Sequence, residues 1–180
     1  MTVEPSLRAA MLMALPRLRA FAISLTNDPT RADDLVQDTI MRAWGHFHRF
    51  QPGTNLDAWL FTILRNQFHT EYRKRSREVE DVDGTHAAKL KSQPDQLGHL
   101  DIEDLRRALS KLPVDQREAI LLVGAQGLSY EEAAAICNVA VGTVKSRVNR
   151  ARRRLAKLLD LSGDAEIGPD SMTKAALATD

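Results

Sequence analysis

One cysteine in 180 residues, Cys137, leaves no partner for an internal disulfide and no thiolate cluster for zinc. Aromatic residues make up only 5% of the chain. That scarcity argues against a β-sandwich or barrel, whose strands favour aromatic and β-branched side chains, while the abundance of Ala, Leu, Arg and Glu suits helices. The predicted fold class is all-α. The N-terminal stretch "MTVEPSLRAAMLMALPRLRAF" carries Glu4 and has no apolar run long enough for a signal peptide, and no later window approaches a membrane span. The chain is therefore read as cytoplasmic, without membrane insertion. His46 and His48 stand two apart and Cys137 is distant, so metal-ligand spacing is lacking; the histidines read as helix-end surface residues and Cys137 as a small buried side chain. A Gly-rich phosphate loop and a nucleophile motif are missing too. No enzyme, metal or cofactor is expected.

What is present is charge in an uneven layout. The net charge is only +1, yet residues 133–159 hold no acid while Lys145, Arg147, Arg150, Arg152, Arg153, Arg154 and Lys157 supply seven positive charges. From Arg65 to Arg77 there are five basic residues against one acid, Glu71, and "EVEDVD" follows with Glu78, Glu80, Asp81 and Asp83. The near-neutral total hides two basic patches and an acidic strip, an asymmetry associated with nucleic-acid contact.

Apolar spacing predicts three helices in the first half. Leu12, Leu15, Leu18, Ala22 and Leu25 form one stripe at three- and four-residue steps. Asn27 and Asp28 before Pro29 suit a turn and a capped restart. A second helix carries Leu35, Val36, Ile40, Ala43, Trp44 and Phe47 inward. "FQPGTNL" is a loop, broken by Pro52 and Gly53, with Thr54 or Asn55 available to cap the third helix. That helix runs through Trp59, Leu60, Ile63, Leu64 and Phe68 into "YRKRSR". Residues 78–101, with Gly84, Pro94 and Gly98 and few large apolar residues, are expected to be a mobile linker. The chain thus divides into a domain over residues 1–77, the linker, a second domain over 102–160 and a tail over 161–180 expected to be disordered.

In the second domain "IEDLRRALSKL" and "VDQREAILLVGAQ" read as two amphipathic helices parted at Pro113. "GLSYEEAAAICNVAVGTVKSRVNRARRRLAKLL" then has helix-turn-helix grammar: Ser129 with Glu132 three residues on is a capping-box signal, "CNVAVG" is a tight turn, and a long basic helix runs from Thr143. Val144, Val148, Ala151, Leu155 and Leu158 share one stripe. Lys145, Ser146, Asn149, Arg150 and Arg153 lie largely off it, where they could meet base edges or phosphates in a major groove. A merely solvated charged face would also be basic near a helix C-terminus; here the charge runs the whole helix behind a turn motif, which favours DNA.

"LPVDQREAILLVGAQGLSYEEAAAICNVAVGTVKSRVNRARRRL" resembles region 4 of extracytoplasmic-function (ECF) sigma factors, and "GTVKSRVNRARRRL" is its most specific piece. "ADDLVQDTIMRAW" and "WLFTILRNQFHTEYRKR" resemble their region 2. The matches come in the expected order and span roughly residues 10 to 160. The resemblance implies an RNA polymerase sigma factor of two small helical domains, acting by binding core RNA polymerase and promoter DNA. It places Lys145, Ser146, Asn149 and Arg150, with Arg147 and Arg153 as further phosphate contacts, at the minus-35 element. It places the loop from Phe50 to Asn55 and the helix around Phe61, Arg65 and Asn66 at a flipped base of the minus-10 element: Phe61 as stacking wall, Asn66 as base-edge reader, and Arg73, Lys74 and Arg75 on phosphates. Asp34, Gln37, Asp38 and Arg42, three or four residues apart, match the face that docks on the polymerase clamp.

Within that family the flavour of "FQPGTNLDAWLFTILRNQFHTEYRKRSRE" resembles the EcfG-type general stress sigma factors of alphaproteobacteria, which implies sequestration by a NepR-like anti-sigma factor and release by a PhyR-like mimic. By the same resemblance the acidic linker would thread the polymerase channel. Two rival readings are a conventional helix-turn-helix regulator with an N-terminal sensing domain and a sigma-like decoy for an anti-sigma factor. The clamp-like helix and basic "YRKR" speak against the first. A decoy should have lost its reading positions, and here Lys145, Arg147 and Arg150 remain.

Overall fold

A computed structural model describes residues 5–80 and 102–159, and all regular structure within them is helical. Helices α1 (Pro5–Thr26), α2 (Pro29–Gly45) and α3 (Leu56–Glu80) form one group, with a single 3₁₀ turn at Phe47–Arg49. Helices α4 (Ile102–Ser110), α5 (Val114–Ile120), α6 (Tyr130–Cys137) and α7 (Val141–Leu158) form the other. Helix α3 continues to Glu80, three residues into the stretch expected to be linker; the rest of that stretch and the tail from Asp160 onward lie outside the described residues.

The buried face of α1 is Met11, Ala14, Leu18, Phe21, Ala22 and Leu25. Leu12, expected on the core stripe, is 58% exposed. The reason is phase: 11, 14, 18, 21 and 25 step by three and four and so track the 3.6-residue turn, whereas a stripe anchored on Leu12 drifts off it. From Arg8 to Thr26 this helix is long and apolar enough to cross a membrane by length and composition, which the sequence reading did not register. Its apolar side instead packs on α2 and α3, and its other side carries Arg17, paired with Asp57, and Arg19, 2.6 Å from Asp33.

The restart between α1 and α2 forms as expected. Asn27 takes a left-handed φ of 53°, and the Asp28 carboxylate accepts from the backbone N–H groups of Thr30 and Arg31 with Pro29 in the first turn. On α2 the inward positions are Ala32, Leu35, Val36, Thr39 and Ala43. Trp44, expected inside, is 47% exposed because Ala43 occupies the core phase beside it. Buried Thr39 is satisfied: its hydroxyl lies 2.7 Å from the Leu35 carbonyl and 2.7 Å from the Gln67 side-chain amide. Asn55 caps α3 through its side-chain oxygen on the Ala58 N–H.

"VDQREAILLVGAQ" is not one α-helix. The chain widens at Leu121–Ala125 into a π-helical turn, closed by the Gln126 N–H on the Leu121 carbonyl at 2.9 Å. The widened turn keeps Leu121 and Leu122 both buried and brings Gln126 to the side facing the first group. The capping box forms in full, with the Ser129 hydroxyl on the Glu132 N–H and the Glu132 carboxylate on the Ser129 N–H. Helix α6 ends at Asn138 in the left-handed region, φ 53°, while the Val139 N–H reaches the Ala134 carbonyl at 3.1 Å. Cys137 is buried at the end of α6 and its thiol is pushed up by that burial. Val144, Val148, Ala151 and Leu155 seat α7 against α5 and α6; Leu158, predicted on the same stripe, is 42% exposed at the fraying end.

The two groups pack on one another, α3 against α6 and α1 against α4 and α5. Arg117 on α5 is buried and holds four carbonyls: Ser24 and Leu25 at the C-terminus of α1, Ser110 at the C-terminus of α4 and Leu112 just beyond it, at 3.1–3.3 Å. A guanidinium satisfies helix-end carbonyls and complements the dipole at both ends at once. Burial lowers its proton affinity from the ordinary arginine value, without bringing deprotonation into view.

Candidate nucleic-acid interface

Two surfaces collect the residues singled out by sequence. The first is the outer face of α7. Lys145, Asn149, Arg150 and Arg153 are exposed, and Ser146 is half-buried near the start of the helix. The Lys145 ammonium lies 5.7 Å from the Tyr130 ring centre, a cation–π contact that carries this charge beside the first turn of α6. Arg147 differs from its expected role: its Nε is 3.2 Å from Asp115 on α5 and only 20% of its side chain is exposed. The side chain thus ties α7 to α5, and a phosphate would have to compete with Asp115 for it.

The second surface lies on the first group. Between α2 and α3 runs a groove of about 400 Å³ whose wall includes Asp38, Arg42, His46, Arg49, Trp59, Ile63 and Asn66. Asn66 is exposed, with its side chain lining the groove. Trp59 stands at the groove's aromatic end, its ring 5.3 Å from Phe50 and 6.2 Å from Phe47, and Phe50 is 5.6 Å from Phe47. Phe50 is thus half-buried in an aromatic trio at the start of the loop. Phe61 does not join it. It is 1% exposed, edge-to-face with Phe21 at 5.2 Å and covered by the Arg17 guanidinium at 6.0 Å. It is a core residue here, so the expected stacking wall is absent at Phe61, and Trp59, two residues earlier and about 200° around the helix, is the aromatic that reaches the groove.

Of the basic residues, Arg73, Lys74 and Arg75 are exposed along the last turns of α3, with the Arg73 Nε donating to the His69 carbonyl at 3.2 Å. Arg65 is turned the other way. Its side chain is 15% exposed and its Nε lies 3.0 Å from Glu118 of the second group. On α2, Asp34, Gln37, Asp38 and Arg42 are all exposed. Asp38 and Arg42 also border the groove, so the expected polymerase face and the expected base pocket share an edge.

Sequence reasoning missed four participants. Met41 (68% exposed) and Trp44 (47% exposed) are apolar side chains in solvent near Arg42. The signal was available for Met41, which lies three residues after Asp38 and four after Gln37 and so shares their face. His46, read as a helix-end surface residue, and Arg49, given no reading, line the groove. No signal in the sequence marked Glu118 as an interdomain residue. Among the described residues no cluster of His, Cys, Asp and Glu is disposed to hold a metal.

Residues 11–78 match the family "Sigma-70 region 2" and residues 102–155 match "Sigma-70, region 4". The chain is 60% identical over 177 residues to the ECF RNA polymerase sigma factor EcfG of Rhodopseudomonas palustris, covering 98% of both chains. It is 36% identical over 160 residues to the ECF RNA polymerase sigma factor SigC of Mycobacterium tuberculosis, covering 84% of this chain and 78% of the relative. Among solved structures it resembles the sigma factor RpoE of Bartonella quintana in complex with the anti-sigma factor NepR, at TM-score 0.80 and 54% identity, over 88% of this chain and 99% of that one.

Proposed function

The chain belongs to the ECF branch of the sigma-70 family, whose members bind core RNA polymerase and direct promoter-specific initiation, and on that premise we propose how its residues divide the work. Helix α7 enters the major groove of the minus-35 element. Arg150 and Asn149 read base edges there, Lys145 and Ser146 approach the bases at the helix start, and Arg153 grips phosphate. Arg147 contributes mainly by holding α7 on α5.

The α2–α3 groove captures the flipped base of the minus-10 element. Its volume falls within the range of sites for small organic groups, Trp59, backed by Phe50, gives it an apolar aromatic end, and Asn66 supplies an amide for the base edge. Arg42 and Arg49 set positive charge on one rim, with His46 beside them, partly balanced by Asp38 and Glu71. Arg73, Lys74 and Arg75 track the phosphates beyond it. Strand opening then draws on binding energy alone: an unstacked base gains stacking and hydrogen bonds in the groove that a paired base cannot reach. Asp34, Gln37, Asp38 and Arg42 dock on the polymerase clamp, with Met41 and Trp44 as the apolar part of that face.

The likeness to EcfG, and to a sigma factor solved with NepR, supports a cytoplasmic protein that serves stress-response genes and is sequestered by a small NepR-like anti-sigma factor. The observation that carries the whole reading is the groove that gathers an aromatic, an exposed amide and a basic rim in a chain that also presents the basic face of α7. Transcription from a genomic promoter library with purified core polymerase, with and without this protein, tests it. Promoter-dependent transcripts are expected only with the protein present. A protein that neither co-elutes with core nor yields such transcripts would sink the reading and leave the decoy in its place.

A further inference from the structure

The α2–α3 groove holds a glutamine whose orientation is fixed from behind. Gln67 lines the groove yet is only 6% exposed, and its side-chain amide lies 2.7 Å from the hydroxyl of Thr39, which is fully buried on α2. The same hydroxyl lies 2.7 Å from the Leu35 carbonyl one turn earlier. Both are bonding distances between polar atoms, but a hydroxyl carries one proton. The Leu35 carbonyl can only accept, whereas a glutamine amide accepts at one end and donates at the other, so both contacts are bonds only if Gln67 donates to Thr39. The Gln67 NH2 therefore points inward to the Thr39 Oγ1, the assignment that its bonding partners dictate. With the Gln67 carbonyl inward, one of the two contacts would set oxygen against oxygen with no proton between them.

We propose that Gln67, locked by Thr39 with its carbonyl oxygen toward the groove, selects a captured base that carries an exocyclic amino group, and that Thr39 is its positioning residue. The inference rests on the proposed function, which seats the flipped minus-10 base in this groove. The outer end of the Gln67 amide is not among the polar atoms sealed in the protein without a partner. It opens on the groove that the residue lines. Adenine, cytosine and guanine each present an NH2 that such an oxygen can accept from, and thymine presents none.

The rest of the wall agrees in polarity. Asp38 and Glu71 line the same groove, and an ionised carboxylate only accepts. The donors Arg42 and Arg49 stand at the rim, where phosphate is the matching acceptor. Exposed Asn66 can turn either end of its amide to a base, so it tells an amine from a carbonyl poorly. Gln67 cannot turn without breaking its bond to Thr39. A thymine carbonyl held against the Gln67 oxygen would leave two acceptors unpaired, and thymine's one ring N–H is flanked by carbonyls that the carboxylates repel.

The test uses the holoenzyme and a promoter that it opens, altered in the non-template strand at the minus-10 position whose preference Asn66→Ala weakens. There the natural base is replaced by its counterpart without the amine: purine for adenine, pyrimidinone for cytosine or hypoxanthine for guanine. A fluorophore elsewhere in the melted segment reads the rate of opening. An amine-bearing base is expected at that position, and its counterpart should slow opening by about two- to tenfold, the range spanned by the net effect of one hydrogen bond. Gln67→Met keeps the length of the side chain and leaves Thr39 its bond to Leu35, and it should abolish that penalty. Thr39→Val retains Gln67 but frees its amide to turn, so the penalty should shrink, a change that a merely structural role for Thr39 would not produce. Thymine at that position, a parent that opens both promoters equally fast, or a full penalty kept in Gln67→Met would overturn the selection. A full penalty kept in Thr39→Val would overturn the positioning role. If Asn66→Ala and Trp59→Ala leave every minus-10 preference unchanged, the base is not seated in this groove, and that part of the proposed function falls together with the inference.

Discussion

The two helices proposed to face DNA solve one problem in opposite ways. Helix α7 is built so that its inward stripe of Val144, Val148, Ala151 and Leu155 is apolar and the side chains proposed to read DNA, Ser146 and Arg147 apart, face solvent. Helix α3 has no such clean split: Asn66 faces a groove, Arg65 turns into the domain interface, and Phe61 is locked in the core. A helix that lies in a duplex groove can be read from one face, whereas a pocket for an extruded base needs walls from several elements. Residues adjacent in the sequence of α3 therefore belong to different jobs.

The sharpest way to break that contrast is at Phe61. If it belongs to the core, Phe61→Ala removes a fully buried ring packed edge-to-face on Phe21 and should lower the unfolding free energy by about 3–5 kcal/mol, read by denaturant unfolding. Phe50→Ala, at a half-buried ring, should cost less stability and more promoter opening. A Phe61→Ala protein that unfolds like its parent yet fails to open promoters would restore the stacking role to Phe61 and make α3 as separable as α7.

On α7 the contrast can be sharpened by separating base reading from phosphate contact. Arg150→Ala should reduce discrimination between matched and altered minus-35 elements by about 1–3 kcal/mol, the worth of a good bidentate contact. Arg153→Ala should weaken binding evenly across the same elements. Competition between promoter variants for the holoenzyme measures both. Equal and sequence-independent losses would mean that Arg150 is a second phosphate contact.

In the groove, Asn66→Ala should leave folding and polymerase binding unchanged, because the core of α3 rests on Leu60, Leu64 and Phe68. It should weaken selection at one minus-10 position by about 0.5–1.5 kcal/mol, the net worth of one hydrogen bond. Permanganate footprinting of open complexes reads the loss. Unchanged opening with unchanged base preference would leave Asn66 as a surface amide at the edge of an empty groove.

How much of this was legible in the sequence follows the same divide. Local signals were read correctly: Asp28 before Pro29, Asn55 before α3, and Ser129 with Glu132 all cap as their residue types require, because a cap involves neighbours within three positions. Helical phase was read to within one residue, which placed Val144 and Leu35 correctly but put Leu12 and Trp44 on the wrong side, since one residue is a rotation of about 100°. The two sigma regions were found through paired motifs, and the EcfG likeness held. What stayed hidden was long-range. Glu118 lies about fifty positions from Arg65, and nothing near Glu118 in sequence hints that a carboxylate will be buried against another domain. The π turn at Leu121–Ala125 was equally silent, because it changes the phase of a helix without changing its composition.

The smallest expected effect sits where the two regions touch at solvent, and it would show how far the contact between Asn55 and Glu132 joins them. Hydrogen bonds from the Ser129 backbone N–H and then from the Asn55 amide hold the Glu132 carboxyl below its ordinary value. A carboxylate whose folded pKa is lowered adds stability that is complete above its unfolded value and is lost as pH falls through the lowered folded value. Protonation should thus loosen the start of α6 and the Asn55 contact together, in the acid range below the usual glutamate titration. Unfolding midpoints followed from neutral pH downward should show a shallow acid-side decline that Glu132→Gln flattens. Asn55→Ala should flatten it only in part, since the Ser129 N–H remains as the larger cause. If Asn55→Ala leaves the acid limb unchanged while Glu132→Gln removes it, the carboxylate serves only the cap of α6, and the polar contact between the two groups rests on Glu118, Arg117 and Arg17.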